Sequence, residues 1–203
     1  MVSRGHQAVI DSAIFIRSSM MTIIESIRAE YVRYKTMAEA AIRQLVDAQL
    51  AAHTSENSNS VATICWHLSG NLKSRFTEFL TSDGEKPWRH REEEFQVRSV
   101  SKAELLEKWE DGWAALLGVL AELGDQQLHQ IVTIRRQPLE VHEALHRSLA
   151  HAAYHVGQIV YIAKSLRGSQ WTYLSIPPGK SDDYNRNPTG EHAAGHTATL
   201  KER

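Results

Sequence analysis

Four stretches of the sequence repeat their apolar residues at three- and four-residue steps, and this periodicity limits the possible folds more than any other feature. The stretches cover residues 22–48, 61–81, 101–123 and 139–166. Such spacing places the apolar side chains on one face of an α-helix, and that face needs a partner surface. Because no strand-rich region and no internal repeat accompanies them, the sequence predicts an all-α fold, a four-helix bundle.

The segments between these helices carry signals for helix ends. Ser60 and Ser101 are good N-cap residues, and Glu104 follows Ser101 at the spacing of a capping box. Gly124 and Gly168 are expected to end the third and fourth helices. Residues 131–134 have the sequence Ile-Val-Thr-Ile, which predicts a short extended segment before the last helix.

The four helices predict one domain over residues 20–185. Residues 1–19 are interpreted as an N-terminal extension, and the sequence does not decide whether Met20 or Met21 is the natural start. Residues 186–203 are expected to form a flexible tail. Little regular structure is expected after Gly168, where the chain is rich in proline and glycine.

Composition excludes several classes of protein. The formal net charge is −1, so there is no electrostatic footprint for a nucleic-acid partner. Cys65 is the single cysteine, which excludes a disulfide framework and fits a reducing compartment. No apolar run is long enough to span a membrane, and the N-terminal region lacks the shape of a signal peptide. We therefore expect a cytoplasmic protein without a nucleic-acid or membrane partner.

The fourth predicted helix carries two histidine pairs with four-residue spacing, His142 with His146 and His151 with His155. Residues four apart lie one above the other, so either pair can bind one metal ion. The two pairs face opposite sides of the helix. Mid-helix residues lie deeper in a bundle, which favours His151 and His155. Two surface or half-buried histidines with ordinary hydrogen bonds are the simpler alternative.

A catalytic metal site usually has three protein ligands. His67, in the middle of the second predicted helix, is the best-placed third ligand, and it begins a polar row that continues with Asn71 and Arg75. It lies off the centre of the apolar stripe, so the pattern does not predict its burial, and a lone helical histidine is more often structural. Five other histidines fall in loops or in the tail and are expected to be solvated: His53, His90, His129, His192 and His196.

Three blocks of the sequence resemble the DinB/YfiT-like superfamily. They are Trp-His-Leu-Ser-Gly-Asn-Leu at residues 66–72, Asp-Gly-Glu-Lys-Pro-Trp-Arg at 83–89, and His-x-x-x-His-Val-Gly-Gln at 151–158. The tail motif Ser-Ile-Pro-Pro-Gly-Lys-Ser at residues 175–181 resembles an uncharacterised bacterial branch of that superfamily. The resemblance extends over residues 20–185.

The resemblance implies a four-helix bundle in up-down-down-up order, often a homodimer. It also implies one divalent metal ion, commonly zinc or nickel, held by His67, His151 and His155. The superfamily includes thiol-dependent transferases and isomerases, and proteins described as metal-dependent hydrolases. A low-molecular-weight thiol is therefore an implied cofactor.

Three neutral imidazoles would leave the charge of a divalent ion uncompensated, and such an ion activates a bound water or thiol. The zinc-peptidase motif His-Glu-x-x-His is absent, because Ala152 stands where its glutamate would be. Cys65 is two residues from His67 and is expected on another helix face. A thiol nucleophile would therefore arrive as a cofactor.

Several residues are candidates for contact with a substrate or cofactor. The catalytic candidates are Arg75, Gln158 and Tyr154, and the cofactor-binding candidates are Asn71, Arg75, Trp88 and Arg89. Arg75 can instead form an ion pair inside the bundle, and Trp88 can instead pack over a helix end. The acidic run at residues 92–94 is interpreted as solvated.

The sequence leaves three functions open. The first is a metal-dependent thiol S-transferase or hydrolase that acts on a small molecule. The second is a non-catalytic metal-binding or stress-response homodimer. The third is a helical bundle without metal, in which the histidines only pack.

Overall fold

The computed structural model describes residues 21–188, and this part of the chain is mostly helical. Its long helices lie where the apolar stripes predict them: α1 (Ile23–Arg43), α3 (Val61–Phe76), α4 (Lys102–Glu122) and α5 (Val141–Arg167). Two short helices are α2 (Asp47–Leu50) and α6 (Ser181–Arg186). The all-α class is therefore confirmed for the described residues.

Some predictions concern residues outside the described range. They are the extension at residues 1–19, a start at Met20, the tail beyond residue 188, and the solvation of His192 and His196. Little regular structure is expected after Gly168, and in the described residues this part of the chain forms a 3-10 helix at Gly168–Gln170 and the six-residue α6. Among the described residues, no helix combines the length and apolarity needed to cross a membrane.

Three predicted helix boundaries are wrong by a few residues. The first helix ends at Arg43 rather than near residue 48, and α2 follows as a separate turn. The second helix ends at Phe76 rather than near residue 81, because Thr77 is extended and Glu78 has a φ of +49°. The last helix begins at Val141, since the residues before it belong to a β-strand.

Side-chain acceptors fix the starts of the helices. Ser101 forms the predicted capping box with Glu104 at the start of α4. The carboxylate of Asp125 accepts hydrogen bonds from the backbone N–H groups of Ile23 and Ile24, at 2.9 and 3.0 Å. These N–H groups have no acceptor within the helix, so Asp125 both caps α1 and ties it to the chain after α4.

The long helices share one apolar core. Both α1 and α3 pack against α4 and α5. Trp109, Trp113 and Tyr31 are completely buried in this core. Where α3 meets α4, position 112 favours glycine, because a Cβ on Gly112 would lie 2.5 Å from the Cα of Ser69 and would force the two backbones to shift. The backbones of these two helices therefore approach closely.

The segment between α4 and α5 forms a β-hairpin, of which only the first strand was predicted. In it β1 (Ile131–Ile134) pairs antiparallel with β2 (Gln137–Glu140). Arg135 and Arg136 form the turn with φ angles of +54° and +62°, a conformation that favours glycine or asparagine. The carboxylate of Asp83 accepts hydrogen bonds from both of their backbone N–H groups. The loop after α3 thus holds this strained turn in place.

Candidate metal centre

Three histidines from two helices bring their imidazole rings to one point. His67 lies on α3, while His151 and His155 lie one turn apart on α5. The Nε2 atom of His151 is 3.1 Å from Nε2 of His155 and 3.4 Å from Nε2 of His67. One ring nitrogen of each residue lies within 4.8 Å of the others, so the group can hold a metal ion. The structure therefore brings together the three residues proposed as ligands.

His67 is buried, which the pattern of its own helix did not predict. Only 6% of its surface is exposed. The cover is the 3-10 helix Arg91–Phe95 in the loop after α3. The ring of Phe95 lies 4.8 Å from the imidazole of His67, measured between centroids. A loop can cover a helix face in this way without leaving any signal in the helix itself.

Glu94 is buried beside His67, so the interpretation of residues 92–94 as a solvated run is wrong for this residue. Its carboxylate accepts hydrogen bonds from Nε and Nη2 of Arg89, at 2.8 and 3.0 Å. Burial alone would raise the pKa of Glu94, but hydrogen bonds from His67 and Arg89 lower it overall. Glu94 is therefore ionised near neutral pH.

Hydrogen bonds to the outer ring nitrogens orient two of the three imidazoles. Nδ1 of His67 is 2.9 Å from Oε2 of Glu94, and Nδ1 of His155 is 2.8 Å from Oε1 of Gln158. An ionised carboxylate can only accept, so His67 donates through Nδ1 and directs Nε2 at the cluster. Metal-binding histidines are oriented in the same way. Nδ1 of His151 is buried and has no partner within the described residues.

Gly70, three residues after His67, provides the space for this carboxylate. A Cβ at position 70 would overlap Oε1 of Glu94. The absence of a side chain on this turn of α3 is thus a local condition for the contact between Glu94 and His67.

The imidazoles of His151 and His155 are neutral near pH 7. The pKa of His151 is lowered to about 4, first by burial and then by the neighbouring His155 and His67. The pKa of His155 is lowered as well, mainly by burial. Neutral imidazole is the form that binds a metal ion.

The nitrogen positions fit a metal ion better than a network of hydrogen bonds between histidines. A proton on Nε2 of His151 can serve only one of its two neighbours, and the other nitrogen lone pair then lacks a partner. Tetrahedral coordination with bonds of about 2.0–2.1 Å separates ligand nitrogens by about 3.3 Å. The distances of 3.1 and 3.4 Å from Nε2 of His151 to the other two Nε2 atoms are close to this value.

Within the described residues no fourth histidine, cysteine or carboxylate joins the group, which leaves room for another ligand.

A cavity of about 220 Å³ lies beside the cluster, and His67 and His151 are part of its wall. Three of the residues proposed for substrate or cofactor binding also line it: Asn71, Arg75 and Arg89. Arg75 forms an ion pair with Glu85 at 3.2 Å and donates to the carbonyl oxygen of Gly84. The structural alternative foreseen for Arg75 is therefore present, although the residue lines the cavity as well.

The remaining candidates lie outside this cavity. Gln158 accepts from His155 and donates to the hydroxyl of Tyr154 at 3.1 Å, and both residues line a separate surface groove. Trp88 is exposed and lines another groove. Cys65 is fully buried, and burial raises the pKa of its thiol, so it is not an available nucleophile.

A second group of possible ligands lies at the start of α5, and the sequence patterns did not indicate it. It consists of His129, Glu140 and His142, whose ligand atoms also lie within 4.8 Å of one another. Nδ1 of His129 and Nδ1 of His142 are 2.7 and 3.2 Å from Oε2 of Glu140. His129 is exposed, as predicted, and exposed groups of this kind are common without a metal ion. Any metal analysis must therefore distinguish the two groups.

The comparisons with known proteins give one positive result. Residues 18–180 match the family described as "Protein of unknown function (DUF1572)". The searches of curated proteins and of solved structures found no match. The matched residues include all four long helices, the three histidines and Glu94. Because the match covers well over half of the chain, the protein belongs to the DUF1572 family.

Proposed function

We propose that the protein is a divalent-metal protein with an open three-histidine site, and that it is a metal-dependent enzyme acting on a small molecule. The observation that carries the proposal is the position of Nε2 of His151, 3.1 Å from Nε2 of His155 and 3.4 Å from Nε2 of His67, in a group whose ligand atoms all lie within 4.8 Å of one another. Within this proposal the long helices form a four-helix bundle of the DinB/YfiT-like type, in up-down-down-up order. The contacts of α1 and α3 with both α4 and α5 support that arrangement.

His67, His151 and His155 would hold zinc or nickel, a Lewis acid that lowers the pKa of a water or thiol ligand. Glu94 holds His67, and Gln158 holds His155, with Nε2 directed at the cluster. A thiol nucleophile would come from a low-molecular-weight cofactor, because the only cysteine is buried. We therefore propose thiol S-transfer or hydrolysis, with the substrate bound in the adjoining cavity.

The metal content of the purified protein tests the site. We expect one zinc or nickel ion per chain, lost in His67→Ala and in His155→Ala. His142→Ala is the matched control, because it removes a half-buried histidine of α5 that belongs to the second group and not to the cluster. Loss of metal in the control but not in His67→Ala would assign the metal to the second group and refute the proposed site.

The activity is tested with a panel of low-molecular-weight thiols and electrophiles, with ester substrates for the hydrolase reaction. We expect turnover that disappears after chelation and returns when zinc or nickel is added. Metal-loaded protein without turnover on any member of the panel would count against the transferase.

A non-catalytic metal-binding homodimer is the second candidate. The observation that favours it is the cavity wall, in which no carboxylate, tyrosine or cysteine of the described residues is available to transfer a proton. Light scattering tests the dimer. A metal-loaded dimer without activity on the panel would support this candidate over the enzyme.

A further inference from the structure

The cavity beside His67 has an unusual concentration of positive charge. Five arginines line it, and none of the carboxylates in the described residues does. They come from four segments of the chain: Arg75 from α3, Arg89 and Arg91 from the following loop, Arg135 from the hairpin turn, and Arg147 from α5. Like charges brought together in this way repel one another, so their convergence calls for anionic partners.

Carboxylates outside the cavity wall compensate only part of this charge. Four of the arginines share three glutamates: Glu85 pairs with Arg75 and Arg135, Glu94 with Arg89, and Glu92 with Arg91. Arg147 is exposed and has no ion-pair partner within the described residues. The cavity therefore keeps an excess of positive charge before any metal ion is considered.

Arg89 supplies an independent indication of a missing acceptor. Its side chain is only 2% exposed, and two of its nitrogens are bound to Glu94. The third nitrogen, Nη1, is buried and has no hydrogen-bond partner. Buried donors in proteins are nearly always satisfied, and a charged donor especially so. Since Arg89 lines the cavity, an anionic group bound there is the partner that Nη1 lacks.

The wall also has an apolar part, formed by Phe76, Phe79, Ile134 and Ala144. Guanidinium groups match the paired oxygens of carboxylates and phosphates, and aromatic rings accept an apolar body. We propose that the cavity binds a small organic anion, with its carboxylate or phosphate-type group on the arginines and its apolar part on Phe76 and Phe79. This inference deepens the proposed function. It rests on the proposed function only in placing the anion next to a metal ion, whereas the binding of the anion by the arginines is independent of it.

Calorimetric titration of the full-length protein tests the proposal with two probes, phenylphosphonate and phenylacetate, which separate a phosphate-type from a carboxylate ligand. The first variants are Arg147→Gln and Arg135→Gln, because both side chains are exposed and their loss should not prevent folding. We expect each to raise the Kd of the preferred probe roughly tenfold, since each removes a charge-assisted hydrogen bond. Inorganic phosphate should bind more weakly than phenylphosphonate, because it lacks the apolar part.

The matched control is Arg28→Gln, which makes the same charge change at an exposed position of α1 outside the cavity. Its Kd should equal that of the unmodified protein. Failure of both probes to bind at millimolar concentration, or binding that neither cavity substitution weakens, would overturn the proposal. Equal weakening by Arg28→Gln would do the same, because the effect would then reflect net charge.

Titration of both chelated and zinc-loaded protein separates this proposal from that of the metal site. Arginine-dependent binding by the chelated protein supports the anion site even if the metal content of the purified protein shows that it holds no ion. Binding that requires zinc and ignores the arginine substitutions assigns the anion to the metal and refutes the arginine site.

Discussion

Glu94 joins the two halves of the candidate site, although it lines neither the histidine cluster nor the cavity. One carboxylate accepts from His67 on one side and from Arg89 on the other. The orientation of a proposed metal ligand and that of a cavity arginine therefore depend on the same buried side chain. A substitution at this position should affect both without removing a ligand.

We expect Glu94→Gln to lower zinc affinity about 10- to 100-fold, the usual effect of losing a carboxylate that orients a metal-binding histidine. The amide keeps the shape of the side chain but gives up the charge that pairs with Arg89. A competitive titration with a zinc chelator measures the change. Glu93→Gln, at the exposed neighbouring position, should leave the affinity unchanged. Equal affinities for the two variants would contradict the role given to Glu94.

The pKa of His151 predicts how the metal-free protein responds to acid. In the unfolded chain this histidine titrates near its ordinary pKa of 6.5, whereas in the fold it does so at about 4. Between these values the unfolded state binds more protons, so the free energy of unfolding should fall as the pH falls from 6.5 towards 4.

Urea unfolding of chelated protein at a series of pH values measures this slope. His151→Asn should make the slope shallower without abolishing it, because the pKa of His155 is lowered too. His90→Asn, at an exposed position of the loop, should keep the full slope. Identical slopes in the two variants would show that His151 is not responsible.

Single residues also show how far the sequence could predict this site. The spacing of His151 and His155 indicates a pair of ligands, because both lie on one helix and helical geometry is local. The burial of His67 and the role of Glu94 depend on how the loop folds back over α3. The convergence of Arg135 and Arg147 with the others is set by tertiary packing. The apolar periodicity of the sequence does not predict contacts of this kind, because they join residues that are far apart in the chain.

At the scale of the elements, two glycines test different contacts of α3. Gly70 faces the end of a side chain, Oε1 of Glu94, whereas Gly112 on α4 faces the backbone of Ser69. We expect Gly70→Ala to fold but to bind zinc more weakly, because the displaced carboxylate no longer holds His67. Gly112→Ala should lower the free energy of unfolding by about 1–3 kcal/mol, as overpacking does.

Thermal unfolding and zinc titration of both variants check this prediction. Zinc affinity should fall in Gly70→Ala more than stability does, and the reverse should hold for Gly112→Ala. The reasoning would fail if Gly70→Ala bound zinc as tightly as the unmodified protein.

The long helices could be predicted from the sequence, whereas the connections between them could not. Apolar stripes and the Ser101 cap fix α4 almost to the residue, since helix formation depends on near neighbours. Of the hairpin, the sequence predicts only β1, because Pro138 weakens the strand signal of β2. Its turn has two arginines with positive φ, which no turn preference predicts, and it depends on Asp83 from another part of the chain.

For the whole molecule, the proposed metal would link helices that are far apart in sequence. His67 belongs to α3 and the other two ligands to α5, so an ion at the cluster would bind the folded state and not the unfolded chain. Binding of this kind stabilises by mass action, by about 2.7 kcal/mol when the free ion is near one hundred times Kd.

We therefore expect zinc to raise the Tm of chelated protein by several degrees, increasing with zinc concentration. Differential scanning calorimetry measures the shift. His67→Ala should abolish it, and His142→Ala should preserve it. A shift that survives in His67→Ala would place the stabilising ion elsewhere.

The hydrogen bonds between the loop after α3 and the β-hairpin limit where the length of this chain can change in evolution. Asp83 binds the backbone of Arg135 and Arg136, and the N–H of Gly84 donates to the carbonyl of Thr133 at 2.8 Å. An insertion or deletion on either side would break these bonds and turn Arg135 away from the cavity. Length differences among related chains should therefore accumulate away from this contact, for example in residues 51–60 between α2 and α3.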